Sequence, residues 1–326
     1  MFRHLKKSFL HFSLFMALLI MAACQDEDTS NQSNDNISNN LAKPRIALVM
    51  KTHTNPFFIS MEQGARQAEK ELNLQLVVRT AAEETSIYQQ IDIVHELTRS
   101  GEIDAIVIAP GDSVELLPAL KAAQDQGIKI VNIDNKLDQH FAEKFGLEPI
   151  PFISVDNEAA AYLSAKYISD KIKTPTKVVI LEGIPTAANA QARKAGAIRA
   201  FEENPNITIV ASQSAYWKID EAYNVVHDFF LKSSDIQAIF AANDMMAIGA
   251  IRYLEEHDLH IPVAGFDAIE EAKNAIKSGK MEVTIDQRPS QQGYMGVKTA
   301  FEMLNGISPS QEILIDVRVL NAENLN

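Results

Sequence analysis

The chain has 326 residues, 46% of them hydrophobic and 22% charged, with 43 acidic against 30 basic side chains and a net charge of −13. That length exceeds what one hydrophobic core usually spans, the composition excludes a disordered chain or a multi-span membrane protein, and the acidity argues against nucleic-acid binding. The single cysteine, Cys24, excludes an intrachain disulfide and a zinc site built on cysteines.

Residues 1–23 carry Arg3, Lys6 and Lys7 and no acid, followed by an apolar stretch from Phe9 to Met21 and then Ala22-Ala23-Cys24. A basic start, an apolar run and small residues before a cut form a secretory signal, and the run is short for a spanning helix. Residues 24–43 are polar and rich in Asn and Ser. They carry too little apolar surface to offset their ordering entropy, which predicts a flexible tether.

From Pro44 onward short apolar runs alternate with helical patterns. The predicted strands are residues 45–50, 74–79, 103–109 and 128–133, then 177–181, 207–211, 236–241 and 261–266. These runs are rich in Val and Ile and are continuously apolar, as parallel strands covered on both faces require. Between them Phe58, Met61, Ala65, Ala68 and Leu72 recur at helical spacing, as do Leu116, Leu117, Leu120 and Ala123, and Ala247, Ile248, Ile251 and Leu254. The fold class is therefore α/β, with two doubly wound, Rossmann-like lobes and a break near residues 143–151. Such sheets bind ligands beyond the carboxyl ends of their strands. Those ends carry Lys51-Thr52-His53-Thr54-Asn55, Asp134-Asn135, Asn243-Asp244 and Asp267.

Six motifs then fall in order along the body. They are Asn55-Pro56-Phe57-Phe58, Ile133-Asp134-Asn135, the segment 183–196 with Asn189 and Arg193, the run 242–250 opening at Asn243-Asp244, Gly265-Phe266-Asp267, and Ile285-Asp286-Gln287-Arg288-Pro289. In these the chain resembles the periplasmic sugar-binding proteins of the type I, ribose-binding class. The resemblance covers the body from Pro44 to the C-terminus. It implies a hinge crossed three times, near Ser154, Gln287 and Ile315. An N-terminal lobe would then comprise residues 44–154 plus 288–314, and a C-terminal lobe 155–287 plus 315–326. Ala22-Ala23-Cys24 likewise resembles the bacterial lipobox, which implies lipidation at Cys24 and a membrane anchor outside the cytoplasm; the other reading is an ordinary signal with Cys24 incidental.

The resemblance implies a polar set of Asn55, Asp134, Arg193, Asn243, Asp267 and Gln287, a stacking set of Phe57, Phe58 and Trp217, and Asn189 beside them. This agrees with the chemistry of a sugar, whose hydroxyls need carboxylate acceptors and forked donors in the ring plane and whose C–H faces need aromatic rings. Three positions depart from the ribose-binding pattern, all at the cleft. Lys51 replaces a small hydroxyl residue, Asn135 stands where Arg commonly follows the aspartate, and Asn189 lies in a longer loop. Lys51 is expected to neutralise Asp134 in place of that Arg. The ligand implied is a monosaccharide or related polyol, with ribose not singled out.

Plainer readings stand beside these. In Asn243-Asp244, which precedes an apolar helix, the cap is assigned to Asp244 and the ligand to Asn243. Asp267 with Glu270 has capping-box spacing. Of the adjacent Phe57 and Phe58, one turns to the core, and Phe57 is assigned to the ligand. Arg193 alone reads equally as a surface ion-pair residue, and Trp217 as a core residue. His257 and His260 beside Glu255 and Glu256 read as an exposed helix end rather than a metal pair. No cofactor or metal is expected. No G-x-S-x-G, G-x-x-x-x-G-K-S/T or G-x-G-x-x-G motif is present, so an enzyme is not expected either. The expected role is capture of a sugar for an ABC permease, the alternative being a sugar-sensing subunit for a chemoreceptor or histidine kinase. A repressor of the same fold is excluded by the secretory segment and the acidic charge.

Overall fold

β1 (Arg45–Met50) is buried over its last five residues, as a run of Ile, Ala, Leu, Val and Met at the centre of a covered sheet must be. It lies between β2 (Gln75–Thr80) and β3 (Ala105–Ile108), and the sheet extends through β4 (Lys129–Ile133), β5 (Phe152–Ser154) and β11 (Glu312–Leu314), every pair parallel. This is a computed structural model; it describes residues 43–325, and the signal segment, Cys24 and all but the last residue of the tether lie outside them.

The second sheet repeats the arrangement. β6 (Thr176–Glu182) lies between β7 (Ile207–Ser214) and β8 (Ile236–Ala241), followed by β9 (Val263–Ala264), β10 (Val283–Asp286) and an antiparallel β12 (Arg318–Asn321). The expected strand at 261–266 shrinks to two residues. Pro262 has no N–H to give the ladder, and the Gly265 and Asp267 amides instead reach Val283 O and Ile285 O at 2.9 and 2.8 Å. β7 is half exposed along alternate residues, because it is the edge strand. β5, β10 and β11 are three or four residues long, too short to show a period in the sequence.

The chain passes between the sheets three times. β5 belongs to the first sheet, and α5 (Asn157–Ser169) packs on β9 and β10 of the second. β10 is followed by α10 (Pro289–Leu304), which packs on β1, β3 and β4, and β11 is followed by β12. Two lobes with a shared connection follow. In each, the strand order reverses beside the first strand, at β1/β3 and at β6/β8, which opens a crevice at the carboxyl ends.

Candidate functional site

The crevices of the two lobes face each other across a small, tightly lined cavity to which both contribute side chains. On the first lobe, Asn55 ends the loop after β1 and caps α1 (Pro56–Glu71): its Oδ1 accepts from Phe57 N at 3.0 Å, and its Nδ2 donates to Glu84 Oε1 at 3.0 Å. The cap throws Phe57 and Phe58 into the first helical turn. Their rings meet edge to face with centroids 5.0 Å apart, and both line the cavity, so adjacency does not send one of them to the core alone.

Asp134 follows β4 with φ 64°, a left-handed conformation costly for an aspartate. Its backbone is pinned by Ser154 Oγ, which donates to Asp134 O at 2.8 Å, and by its own amide on Ile153 O at 3.1 Å. Lys51 Nζ stands 2.8 Å from Asp134 Oδ2 and 4.0 Å from Glu84 Oε2. Lys51 thus stands where it can balance the aspartate, the role expected of it once Asn135 takes the place of the arginine.

On the second lobe, Arg193 projects from α6 (Ala188–Glu202) and is 3% exposed. Its Nε donates to Asn157 Oδ1 at 2.8 Å and its Nη1 to Ala242 O at 2.9 Å, with Asp267 Oδ1 at 3.5 Å. The guanidinium lies 3.8 Å from the Phe266 ring centre and 5.5 Å from that of Trp217. This is a buried, oriented group and not a surface ion pair. Trp217 follows β7 with φ 65° and packs on Gly183, where an added Cβ would fall 1.9 Å from the indole. It is both a buried residue and a wall of the cavity.

Asp267 has φ 120°, and its Oδ1 accepts from Gln287 Nε2 at 2.6 Å. It does not cap a helix: α9 (Glu270–Lys277) begins after Ile269. Gln287 is held in turn by Gln292 of α10, whose Nε2 donates to Gln287 O at 2.9 Å. Within Asn243-Asp244 the cap moves from Asp244 to Asn243, which keeps its place in the wall as well. Asn243 caps α8 (Asp244–Glu256) by accepting from Met246 N at 2.9 Å while lining the cavity. Asp244 lies behind the wall, accepting from Thr284 Oγ1 at 2.8 Å and from Ile269 N at 3.1 Å.

Of the positions singled out in the sequence, Lys51, Asn55, Phe57, Phe58, Asp134, Asn189, Arg193, Trp217, Asn243, Asp267 and Gln287 line this cavity. Asn135 does not. It is wholly buried, with Nδ2 on Pro110 O at 3.1 Å and Oδ1 on Asn189 N at 3.1 Å. Its polar atoms are engaged by protein, which is why it stays out of the wall. Glu84, which the sequence reading missed, is in the wall. Its signal was the rule already applied to the other strands, since it follows β2 at the carboxyl end of the sheet. His257 ends α8, exposed, with its ring stacked on Tyr253 at 4.1 Å.

The wall carries three carboxylates, Glu84, Asp134 and Asp267, against Lys51 and Arg193. Burial raises the Glu84 carboxyl and raises that of Asp267 well above the ordinary range, despite the pull of Lys51 and Arg193 respectively. Burial also lowers the Arg193 guanidinium, against the pull of Asp267. Three lining residues hold a buried polar atom with no hydrogen-bond partner: Asp134 Oδ2, Asn189 Oδ1 and Trp217 Nε1. For Asp134 the Lys51 ammonium is close but not aligned as a donor. Buried polar atoms are nearly always paired, so this wall suits a small polar guest with both donors and acceptors and with apolar faces.

Among the described residues no group of His, Cys, Asp and Glu is placed to hold a metal ion. The family model described as periplasmic binding protein domain matches residues 46–308. The chain is 38% identical to the D-ribose/D-allose-binding protein of Pseudomonas aeruginosa over 83% of this chain and 85% of that protein. It is 32% identical to the D-allose-binding periplasmic protein of Escherichia coli over 79% and 83% of the two chains. Among solved structures, a periplasmic solute-binding protein of an ABC transporter from Actinobacillus succinogenes, with bound D-allose, superposes with a TM-score of 0.82 at 40% identity, covering 87% of this chain and 99% of that one. Fold, motif order and these likenesses agree: the chain belongs to the periplasmic binding protein family, in its ribose-binding-like, type I branch.

Proposed function

We propose that this protein is an extracytoplasmic solute-binding lipoprotein that captures one monosaccharide, a pentose or hexose, between its lobes and delivers it to an ABC permease without transforming it. Lipidation at Cys24 would hold it to the membrane, with residues 25–43 as the tether. The observation that carries the reading is the lining of the cavity between the lobes, in which Phe57, Phe58 and Trp217 stand with the carboxylate, amide and guanidinium groups. Aromatic rings match the C–H faces of a pyranose or furanose. The unpartnered Asn189 Oδ1 and Trp217 Nε1, and the Asp134 carboxylate beside Lys51, match ring hydroxyls and ring oxygen. Relatives named for D-allose and D-ribose make these the first sugars to test.

Titration calorimetry with D-allose, D-ribose, D-fucose, D-arabinose and xylitol tests the reading. Saturable 1:1 binding of at least one sugar is expected, with a stability gain of about 2.7 kcal/mol at a hundred times its dissociation constant. Absence of binding by every one of them, in folded protein, would overturn it.

A further inference from the structure

Helix α6 carries Asn189 and Arg193, yet it begins without a cap of its own. The residue at its N-cap, Ala187, has the extended backbone of a capping position (φ −93°, ψ 125°) and no side-chain acceptor. The first N–H groups of a helix have no partner within the helix and need one from outside. Here the partners come from the other lobe. Ala188 N donates to Ser113 Oγ at 3.0 Å, and Asn189 N donates to Asn135 Oδ1 at 3.1 Å. Ser113 N also donates to Thr186 O at 3.3 Å. Ser113 and Asn135 follow β3 and β4 of the first lobe, more than fifty residues from α6 in sequence.

Both acceptors are held in place. Asn135 Nδ2 donates to Pro110 O at 3.1 Å and lies 3.4 Å from Ser113 Oγ. Ser113 O accepts from Asp138 N at 2.8 Å. Ser113 is 7% exposed and Asn135 fully buried, so the capping bonds are shielded from competing water.

We infer that Ser113 and Asn135 are positioning residues that cap α6 across the cleft, so that the helix bearing Asn189 and Arg193 is completed when the lobes close. The inference rests on the sugar-capture reading for its consequence, and on the hydrogen bonds for its geometry. Opening the cleft uncaps α6 and exposes its first amides to water; closing it restores the cap and holds Arg193 against Asp267. Asn is the residue the job needs at 135. Its amide oxygen accepts from the helix while its NH2 anchors it to its own lobe, which an arginine, with donors alone, cannot do.

The test uses Ser113→Ala and Asn135→Ala in the full chain, with titration calorimetry and amide hydrogen exchange at Ala188 and Asn189. Each variant is expected to weaken every sugar that the wild type binds by the same factor, about three- to tenfold for a neutral hydrogen bond, because neither residue lines the cavity. In sugar-saturated protein the Ala188 amide should exchange faster in Ser113→Ala and the Asn189 amide faster in Asn135→Ala. Ala187→Ser, which supplies a local acceptor for the Asn189 amide, should reduce the penalty of Asn135→Ala and leave that of Ser113→Ala in place. Unchanged affinity and exchange would overturn the inference. So would a loss that differs from sugar to sugar, which would put Asn135 on the ligand. If the wild type binds none of the sugars, the sugar reading falls, and exchange in ligand-free protein decides the cap. Protection of both amides that the variants lose supports it, and equal exchange in all three proteins overturns it.

Discussion

Lys51 Nζ lies 2.8 Å from Asp134 Oδ2, with both side chains 3% exposed, and the same ammonium is 4.0 Å from Glu84 Oε2. One cation therefore serves two buried carboxylates. Replacing Lys51 by Met leaves both without that cation. Breaking a buried pair from one side costs about 3–5 kcal/mol. Urea unfolding of Lys51→Met should show a loss of that order, and a midpoint equal to wild type would show that the pair contributes nothing.

Arg193 joins Asn157, Ala242 and Asp267 through its fork while stacking on Phe266. A lysine keeps the charge but cannot reach three partners from one nitrogen in that geometry. Arg193→Lys and Arg193→Ala should both weaken sugar binding, by about tenfold to a hundredfold for a charge-assisted hydrogen bond, in a body that still unfolds cooperatively. Full retention of affinity by Arg193→Lys would show that only the charge matters there.

Asp244 is buried, and burial pushes its carboxyl up to about 7 against the bonds from Thr284 and the Ile269 amide. Its unfolded value is near the ordinary 3.8. Between these values the folded state keeps a proton that the unfolded chain has released. The stabilisation is therefore complete below the ordinary carboxyl range and is lost as pH rises through about 7. Glu84 and Asp267 shift in the same direction, so the share of Asp244 is read against Asp244→Asn. The unfolding free energy of wild type relative to Asp244→Asn should fall from pH 5 to pH 8. Parallel profiles would refute the assignment.

Trp217 is the chain's single tryptophan, is 4% exposed, and leans on Gly183. Its emission should be blue-shifted in sugar-saturated protein and weakly quenched by acrylamide. Gly183→Ala places a methyl group 1.9 Å from the indole and must displace it. The variant should emit further to the red and bind sugar more weakly. Wild-type emission and affinity in Gly183→Ala would show that the contact yields without cost.

Cys24 follows Ala22-Ala23 at the end of the apolar segment. Metabolic labelling with a fatty acid should mark wild type and leave Cys24→Ala unmarked; equal labelling of the two would remove the anchor from the proposal.

The strands were legible because a parallel strand covered on both faces must be apolar along its whole length, and Val and Ile runs such as β1 and β8 meet that demand locally. The wall was legible for a related reason. Polar residues have no place at the carboxyl end of a buried strand unless something polar meets them, so Lys51, Asn55, Asp134, Asn243 and Asp267 announced themselves by position. Glu84 obeys the same rule but follows β2 by four residues, inside a polar loop where nothing distinguishes it from Glu83. Glu83 instead forms an ion pair with Lys218 of the other lobe at 2.6 Å. The tertiary structure alone decided which of Asn243 and Asp244 caps the helix, because both can accept and the choice depends on Thr284 lying forty residues away beside Asp244. It also decided the place of Asn135. An asparagine after an aspartate at a strand end has the chemistry of a ligand residue, and only the approach of α6 from the second lobe supplies the N–H groups that take it up. Sequence spacing determines what each strand end can offer; which partner it meets depends on how two separate sheets face each other, and that is a property of the closed molecule.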